Sequence, residues 1–145
     1  MKNLFISGIT GKVGKLLSSY ALESNQFKLV GGSCSPDSTF FEKDVGELLE
    51  IEETGIQISG KMSEDLSADI IIDFSSPKSS MEILQLAKKK EIPILIGTTG
   101  FSEDDFKEIE VASTQIPVLF APNTSSGIAI LKNILNKSKN LFSED

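Results

Sequence analysis

Short apolar segments recur along the chain, separated by longer segments that mix polar and apolar residues. Each apolar segment is rich in Ile, Val, Leu and Phe and has the length of a strand, which is typical of strands buried on both faces of a parallel sheet. We therefore predict six strands, NLFIS at 3–7, FKLVGG at 27–32, IQIS at 56–59, DIIIDF at 69–74, IPILIG at 92–97 and IPVLFA at 116–121.

Three of the intervening segments space their apolar residues as a helix does. They cover residues 12–24, 78–90 and 102–114. The last one has a start signal, because Ser102 is followed three positions later by Asp105 as a capping-box partner. A loop with a short helix fits the segment between the second and third strands. This β-α-β alternation predicts a doubly wound α/β sheet of parallel strands with helices on both faces.

Composition restricts the kind of protein. With 145 residues, 39% of them hydrophobic, the chain has room for one ordinary core. Its net charge is −7 and its densest basic run is KKK at 88–90, so we expect no nucleic-acid partner and no membrane partner. No segment reaches the about 18 uninterrupted apolar residues of a membrane helix. The N-terminus also lacks the pattern of a signal peptide, so we expect a soluble, cytoplasmic protein.

The residue types present exclude several chemistries. The chain has no histidine and a single cysteine, Cys34. An internal disulfide, a histidine-ligated zinc site and a histidine-based catalytic triad therefore cannot form within it. We expect no metal site.

The stretch SGITGKVG at 7–14 places three glycines between the first predicted strand and the first predicted helix. Such glycines allow a tight turn at Gly8, close approach of a diphosphate to the backbone at Gly11, and close packing of the helix on the sheet at Gly14. The N-terminal amides of the helix then face an anion. Because the spacing is G-x-x-G-x-x-G rather than G-x-G-x-x-G, two interpretations stay open, nucleotide binding and a tight turn alone. The position of the motif favours nucleotide binding, in a Rossmann-like sheet of six strands with the order 3-2-1-4-5-6.

The position that would contact the adenosine ribose is less informative. Dinucleotide folds normally have an acid there, or an Arg for a 2′-phosphate, about 20 residues beyond the glycines. This chain has Ser33, Cys34 and Ser35, and Asp37 only later. The choice between NADH and NADPH therefore stays open. Cys34 and Ser35 are expected beside the cofactor, with Cys34 a small buried residue rather than a reactive thiol, because no histidine is available to activate it.

Three further motifs follow predicted strands: DFSSP at 73–77, GTTGF at 97–101 and APNTSSG at 121–127. All lie at the carboxyl ends of strands, the edge where open α/β sheets bind ligands. Together with GITGKVG at 8–14 they resemble the dihydrodipicolinate reductases, nicotinamide-dependent enzymes of the diaminopimelate and lysine pathway. The resemblance extends to FKLVGG at 27–32 and to the spacing of all six strands, so it covers essentially the whole chain.

That resemblance implies a set of cofactor contacts. The glycine turn would surround the diphosphate, residues 97–99 would border the nicotinamide and its ribose, and residues 121–124 would contact the carboxamide side. The cofactor-binding residues expected are Gly8, Ile9, Thr10, Gly11, Lys12, Val13, Cys34, Ser35, Phe74, Gly97, Thr98, Thr99, Ala121, Pro122, Asn123 and Thr124. Turn chemistry is the alternative for the Thr and Asn residues. Phe74 could instead close the core beneath the site, and Asp73 could cap backbone amides.

Members of the resembled family continue into a second domain, which binds a cyclic imine dicarboxylate and carries a segment with histidine and lysine, the lysine being the proposed proton donor. No position of this sequence matches that segment, so we assign no catalytic residue. We expect a dinucleotide-binding domain at 1–126 and a terminal helix at 127–145 that would lead to the substrate domain. The apolar stripe of this helix offers a surface for self-association.

The resemblance implies a parent activity, the reduction of a dihydrodipicolinate-type imine by hydride from NADH or NADPH. For the 145-residue chain alone we expect little or no turnover, because only the binding place of the hydride donor is present. The alternative is a non-catalytic NAD(P)-sensing or interaction module. A short-chain dehydrogenase is excluded, because it needs Tyr-x-x-x-Lys and the only tyrosine, Tyr20, is followed by Ser24.

Overall fold

The structure is a computed structural model that describes residues 1–122. Its strands are β1 (Lys2–Ser7), β2 (Phe27–Ser33), β3 (Ile58–Ser59), β4 (Ile70–Asp73), β5 (Ile94–Ile96) and β6 (Val118–Phe120). Its helices are α1 (Lys12–Glu23), α2 (Val45–Leu49), α3 (Pro77–Lys90) and α4 (Glu103–Ser113). Each predicted strand and helix in this range is confirmed, and α2 is the short helix expected between β2 and β3.

The six strands form one parallel sheet with the order β3-β2-β1-β4-β5-β6. β1 pairs with β2 on one side and with β4 on the other. The chain therefore runs outward from β1 to β3, returns to the centre and runs outward again from β4 to β6. This is the predicted doubly wound α/β fold with the predicted strand order. Sheets of this kind bind ligands where the order reverses, here between β1 and β4, at the carboxyl ends of the strands.

The sheet separates two apolar layers, because successive residues of a strand point to opposite faces. On β1, Phe5 belongs to the layer formed with α3 and α4, which contribute Leu84 and Ile109. Leu4 and Ile6 belong to the opposite layer, formed with α1 and α2. Helices therefore cover both faces of the sheet and hold its central strands in place. The carboxyl ends of these strands meet at one edge of the sheet.

Side-chain caps set the starts of three helices. Asp44 caps α2 and Ser76 caps α3. Ser102 and Asp105 form the predicted capping box of α4. The start of α1 is different, since its N-cap residue is Gly11 and no side chain caps it.

Two details of the strand prediction are wrong. β6 was predicted to be buried on both faces, but its Leu119 is 59% exposed. Its place at the edge of the sheet is the predicted one. β3 comprises only Ile58–Ser59 instead of residues 56–59. Gln57, just before the strand, instead forms an isolated antiparallel bridge with Asp44.

The predicted terminal helix at 127–145 and the predicted domain boundary at 126 lie outside the described residues. Within residues 1–122, no helix has the length and apolar character that crossing a membrane requires.

Candidate functional site

A cavity of about 750 Å³ opens at the carboxyl ends of the central strands. The turn after β1, the end of β2, the loops after β3 and β4, and one side of α3 form its walls. The lining residues are Ser7, Gly8, Thr10, Gly11, Ser33, Cys34, Ser35, Gly60, Lys61, Met62, Ser63, Glu64, Phe74, Ser75, Ser76, Ser79, Glu82, Ile83 and Leu86. The cavity therefore lies where the strand order reverses, the usual ligand position in such sheets.

Close approach of backbone atoms explains the first and third glycines of the turn. Gly8 has a φ of 79°, and a Cβ there would lie 2.1 Å from the carbonyl oxygen of Phe74. A Cβ at Gly14 would lie 2.3 Å from the carbonyl oxygen of Gly8. The tight turn predicted at Gly8 is confirmed. Gly14 brings α1 close to the backbone of the turn itself rather than to a strand, which corrects the role predicted for it.

The start of α1 lies at the cavity wall without a side-chain cap. Gly11, its N-cap residue, lines the cavity and has no side chain that could bond the first-turn amides. The first turn contains no acidic residue and includes Lys12. Unpaired amides at a helix N-terminus, with no carboxylate beside them, attract anions. This part of the cavity therefore fits a diphosphate group.

Hydroxyl groups and a buried thiol follow β2. Cys34 is 7% exposed, which confirms it as a buried residue, and burial raises the pKa of its thiol more than a hydrogen bond with Ser38 lowers it. Its sulfur is therefore a weak nucleophile at neutral pH. Ser35 Oγ accepts a hydrogen bond from the backbone N–H of Asp37 at 3.4 Å. Ser33 and Ser35 both line the cavity, whereas Asp37 does not.

Asp73 links the ends of β4 and β5. Its carboxyl group is fully buried and accepts hydrogen bonds from Ser75 Oγ at 2.5 Å, from Thr98 Oγ1 at 2.7 Å and from Ser80 Oγ. Thr98 Oγ1 in turn accepts a hydrogen bond from Ser75 N at 2.9 Å. The prediction that Asp73 caps backbone amides is wrong, because its partners are hydroxyl groups. The network fixes the loops after both strands relative to each other.

Phe74 lies between the cavity and the loop after β5. It lines the cavity, and a Cβ at Gly97 would lie 2.1 Å from its ring. Gly97 N also donates a hydrogen bond to the carbonyl oxygen of Asp73 at 2.8 Å, which extends the pairing of β4 and β5. The ring therefore closes the space between the two loops and faces the cavity as well.

The structure brings some of the predicted cofactor residues to the cavity and not others. Those that line it are Gly8, Thr10, Gly11, Cys34, Ser35 and Phe74. Ile9 is fully buried in the core, so only its backbone is available to a ligand. Seven others lie outside the lining, namely Lys12, Val13, Gly97, Thr98, Thr99, Ala121 and Pro122. Asn123 and Thr124 lie outside the described residues. The cofactor roles of all these residues stay predictions.

Sequence reasoning missed the opposite wall of the cavity. The missed residues are Gly60, Lys61, Met62, Ser63, Glu64, Ser79, Glu82, Ile83 and Leu86. Ser75 and Ser76 also line the cavity; they lie in the predicted DFSSP motif but were not assigned to the site. One sequence signal for this wall is the predicted strand at 56–59. The loop that follows a parallel strand lies at the carboxyl edge of the sheet, where ligands bind. A second was the serine-rich run SSPKSS at 75–80, directly after β4.

The strand order, the cavity at the reversal point and the uncapped helix after a glycine turn define a Rossmann-like dinucleotide-binding domain. Residues 2–124 match the family model described as dihydrodipicolinate reductase, N-terminus. The chain belongs to this family. Membership in this reductase family, on a dinucleotide-binding fold, indicates that the dinucleotide is a nicotinamide dinucleotide.

Curated relatives carry the name 4-hydroxy-tetrahydrodipicolinate reductase. The protein of Colwellia psychrerythraea is 37% identical over 130 residues, which cover 90% of this chain and 48% of the relative. That of Hahella chejuensis is 32% identical over 146 residues, which cover 100% of this chain and 55% of the relative. The chain thus spans about half the length of these relatives.

Solved structures share the fold. Dihydrodipicolinate reductase from Paenisporosarcina sp. TG-14, bound to dipicolinate, has a TM-score of 0.71 at 17% identity, covering 95% of this chain and 53% of that one. Aspartate semialdehyde dehydrogenase from Candida albicans, with NADP, has a TM-score of 0.63 at 13% identity, covering 94% of this chain and 47% of that one. At these identities the likeness establishes the Rossmann-like fold.

Proposed function

We propose that this chain is the cofactor-binding domain of an NAD(P)H-dependent reductase that acts on a dihydrodipicolinate-type imine in diaminopimelate and lysine biosynthesis. The observation that carries the proposal is the uncapped start of α1 at Gly11, in the wall of a cavity at the reversal point of the sheet. Such a helix start supports a diphosphate group. Family membership and the names of the relatives support the class of reaction.

In this proposal the chain's own groups position the dinucleotide. First-turn amides of α1 bind the diphosphate, with the charge of Lys12 nearby. Cys34 and Ser35 border the adenosine ribose, while residues 97–99 and 121–124 border the nicotinamide. When bound, the cofactor supplies the hydride that reduces the imine. The network of Asp73 contributes by holding the loops after β4 and β5 in one arrangement.

The 145-residue chain by itself binds the dinucleotide and turns over little. Hydride transfer needs donor and acceptor in near-attack geometry. The substrate contacts and the proton donor that the family resemblance implies match no position of this sequence. The activity of the chain therefore depends on groups that it does not itself supply.

A calorimetric titration of the folded chain with NADH, NADPH and ADP-ribose tests cofactor binding. We expect binding of at least one dinucleotide, and a loss of about tenfold or more in Gly11→Ala, which adds a methyl group at the start of α1. Ser102→Ala is the matched control, because it removes the cap of α4 outside the cavity lining and should leave the affinity unchanged. Failure of a folded chain to bind either dinucleotide would overturn the proposal.

Imine-dependent oxidation of NADPH tests the turnover. We expect at most a trace rate from the chain alone, and a normal enzymatic rate would contradict that expectation.

Light scattering with and without cofactor tests self-association, and with it the alternative of a non-catalytic NAD(P)-sensing module. A change of oligomeric state on cofactor binding, without turnover, would favour an NAD(P)-sensing module.

A further inference from the structure

The ends of β2 and β3 form one continuous part of the cavity wall. Ser33 and Ser59 are partners in the parallel pairing of these strands, and Cys34 N donates a hydrogen bond to the carbonyl oxygen of Ser59 at 2.9 Å. Ser35 and Lys61 each follow two residues after this pair, and both line the cavity. The sheet register therefore brings a hydroxyl group and a lysine to neighbouring places on the wall.

Local hydrogen bonds fix the turns that carry these two residues. Ser59 Oγ donates a hydrogen bond to the carbonyl oxygen of Lys61 at 2.7 Å, which holds the turn after β3. Ser35 Oγ accepts a hydrogen bond from the N–H of Asp37, which leaves the hydroxyl proton of Ser35 available to an acceptor. The wall thus offers a cation and a hydroxyl donor.

Three charged residues line the cavity, namely Lys61, Glu64 and Glu82. Of these, only Glu64 forms a salt bridge among the described residues. Glu64 forms a salt bridge with Lys89 at 2.8 Å, and the hydrogen bond and charge of Lys89 hold the pKa of Glu64 below its usual value. Glu82 belongs to α3, not to the ends of β2 and β3. Lys61 forms no salt bridge within the described range of the chain. The charge of Lys61 also lowers the pKa of Glu64, three residues further along the same loop, though less than Lys89 does. Lys61 is the cation among the residues that line the cavity.

We propose that Lys61, together with the hydroxyl group of Ser35, binds the 2′-phosphate of NADPH, so that the domain prefers NADPH to NADH. This inference rests on the proposed function. Folds of this class that prefer NAD place a carboxylate after the second strand to bond both ribose hydroxyls, whereas those that prefer NADP supply a cation. Here no carboxylate follows β2 in the wall, and the cation comes from the loop after the neighbouring strand. Lysine binds a phosphate as a point charge and needs no fixed fork geometry.

Calorimetric titration of the whole chain with NADPH and NADH tests the assignment. We expect NADPH to bind about tenfold more tightly than NADH, and Lys61→Gln to remove most of this difference by weakening NADPH alone. Lys28→Gln is the matched control, because Lys28 is an exposed lysine of β2 that does not line this cavity. A second pair of probes, 2′,5′-ADP and 5′-ADP, should show the same discrimination without any nicotinamide.

The outcomes separate this inference from the proposed function. Equal binding of both dinucleotides, or preference for NADH, would overturn the role of Lys61 and leave the cofactor-binding domain intact. If preference for NADH disappears in Glu82→Gln, the residue that reads the ribose is Glu82 instead. Equal loss of NADPH and NADH in Lys61→Gln would also contradict a 2′-phosphate contact. Binding of neither dinucleotide by a folded chain would overturn the proposed function and this assignment with it.

Discussion

Ile9 and Gly32 pack so closely that a Cβ at position 32 would lie 2.3 Å from Cδ1 of Ile9. Ile9 follows the first glycine of the turn, and its side chain is fully buried in the layer that includes Leu29. The backbone N–H groups of Gly8 and Ile9 both donate to the carbonyl oxygen of Ser33, at 2.9 and 3.0 Å. One side chain and two hydrogen bonds therefore attach the glycine turn to β2.

Ile9→Ala should weaken both the fold and the cofactor site. We expect a loss of about 2–4 kcal/mol in the free energy of unfolding, because the substitution leaves a cavity in a packed layer. NADPH affinity should also fall, since the turn loses its contact with β2. Ile109→Ala is the matched control, because Ile109 is buried in the opposite layer and does not touch the turn.

Urea unfolding and calorimetry measure the two effects of these variants. Ile109→Ala should have a similar cost in stability with no change in the affinity of the folded fraction. Unchanged NADPH affinity in Ile9→Ala would show that the turn keeps its geometry without this side chain.

Gly97→Ala should be strongly destabilising, because its Cβ would overlap the ring of Phe74. We expect a loss of about 2–3 kcal/mol or more, since overpacking forces the loops after β4 and β5 apart. Combining it with Phe74→Leu should recover part of that loss. A double-mutant cycle by urea unfolding measures the coupling, which we expect to be about 1 kcal/mol or larger. Strict additivity of the two substitutions would contradict the contact.

Asp73→Asn should destabilise the fold by about 2–3 kcal/mol, because an amide nitrogen replaces one of the oxygens that accept buried hydroxyl protons. Thr98→Val should cost about 1–3 kcal/mol, because it leaves the N–H of Ser75 without its acceptor. Asp37→Asn, at an exposed turn, should change the free energy of unfolding by less than about 0.5 kcal/mol. Thermal unfolding of the three variants tests these values. Near-neutral behaviour of Asp73→Asn would mean that the hydroxyl groups find other partners.

The strands and the ligand-binding edge could be predicted from the sequence, because buried parallel strands require continuous apolar runs and their carboxyl ends must meet at one edge. The same rule failed for β6, where the run around Leu119 indicates burial on both faces although Leu119 is 59% exposed. An apolar run reports the residue types of a strand and not what covers each of its two faces.

The loops of the opposite wall had sequence signals, but which of their residues line the cavity could not be predicted, because that depends on register and packing. Lys61 is placed by the pairing of Ser33 with Ser59, which are far apart in sequence. The partners of Asp73 include Thr98, 25 residues away, and hydroxyl groups give no periodic signal of such contacts. Local glycine geometry, by contrast, was readable at Gly8, because a tight turn leaves few alternatives to glycine.

Asp44 should make the stability of the domain depend on pH in the acid range. Burial raises the pKa of its carboxyl group, but hydrogen bonds from Thr54 and Gly46 together outweigh burial, so the pKa lies below the ordinary value. Its Oδ1 accepts from Gly46 N at 2.6 Å, from Thr54 N at 2.8 Å and from Thr54 Oγ1 at 3.0 Å. A group whose pKa is lowered by folding stabilises the fold above its unfolded pKa, and this stabilisation is lost as the pH falls through the folded value.

Urea unfolding of the wild type and of Asp44→Asn between pH 6 and pH 2 tests this dependence. We expect the wild type to be the more stable at pH 6, and the difference between the two to shrink as the pH falls below about 4, where an aspartate in the unfolded chain takes up its proton. Asp37→Asn provides the reference curve for an exposed carboxyl group at another turn. A difference between wild type and Asp44→Asn that stays constant over the whole range would mean that the hydrogen bonds at the start of α2 are equally strong to the neutral side chain, and that acid sensitivity of the domain arises elsewhere.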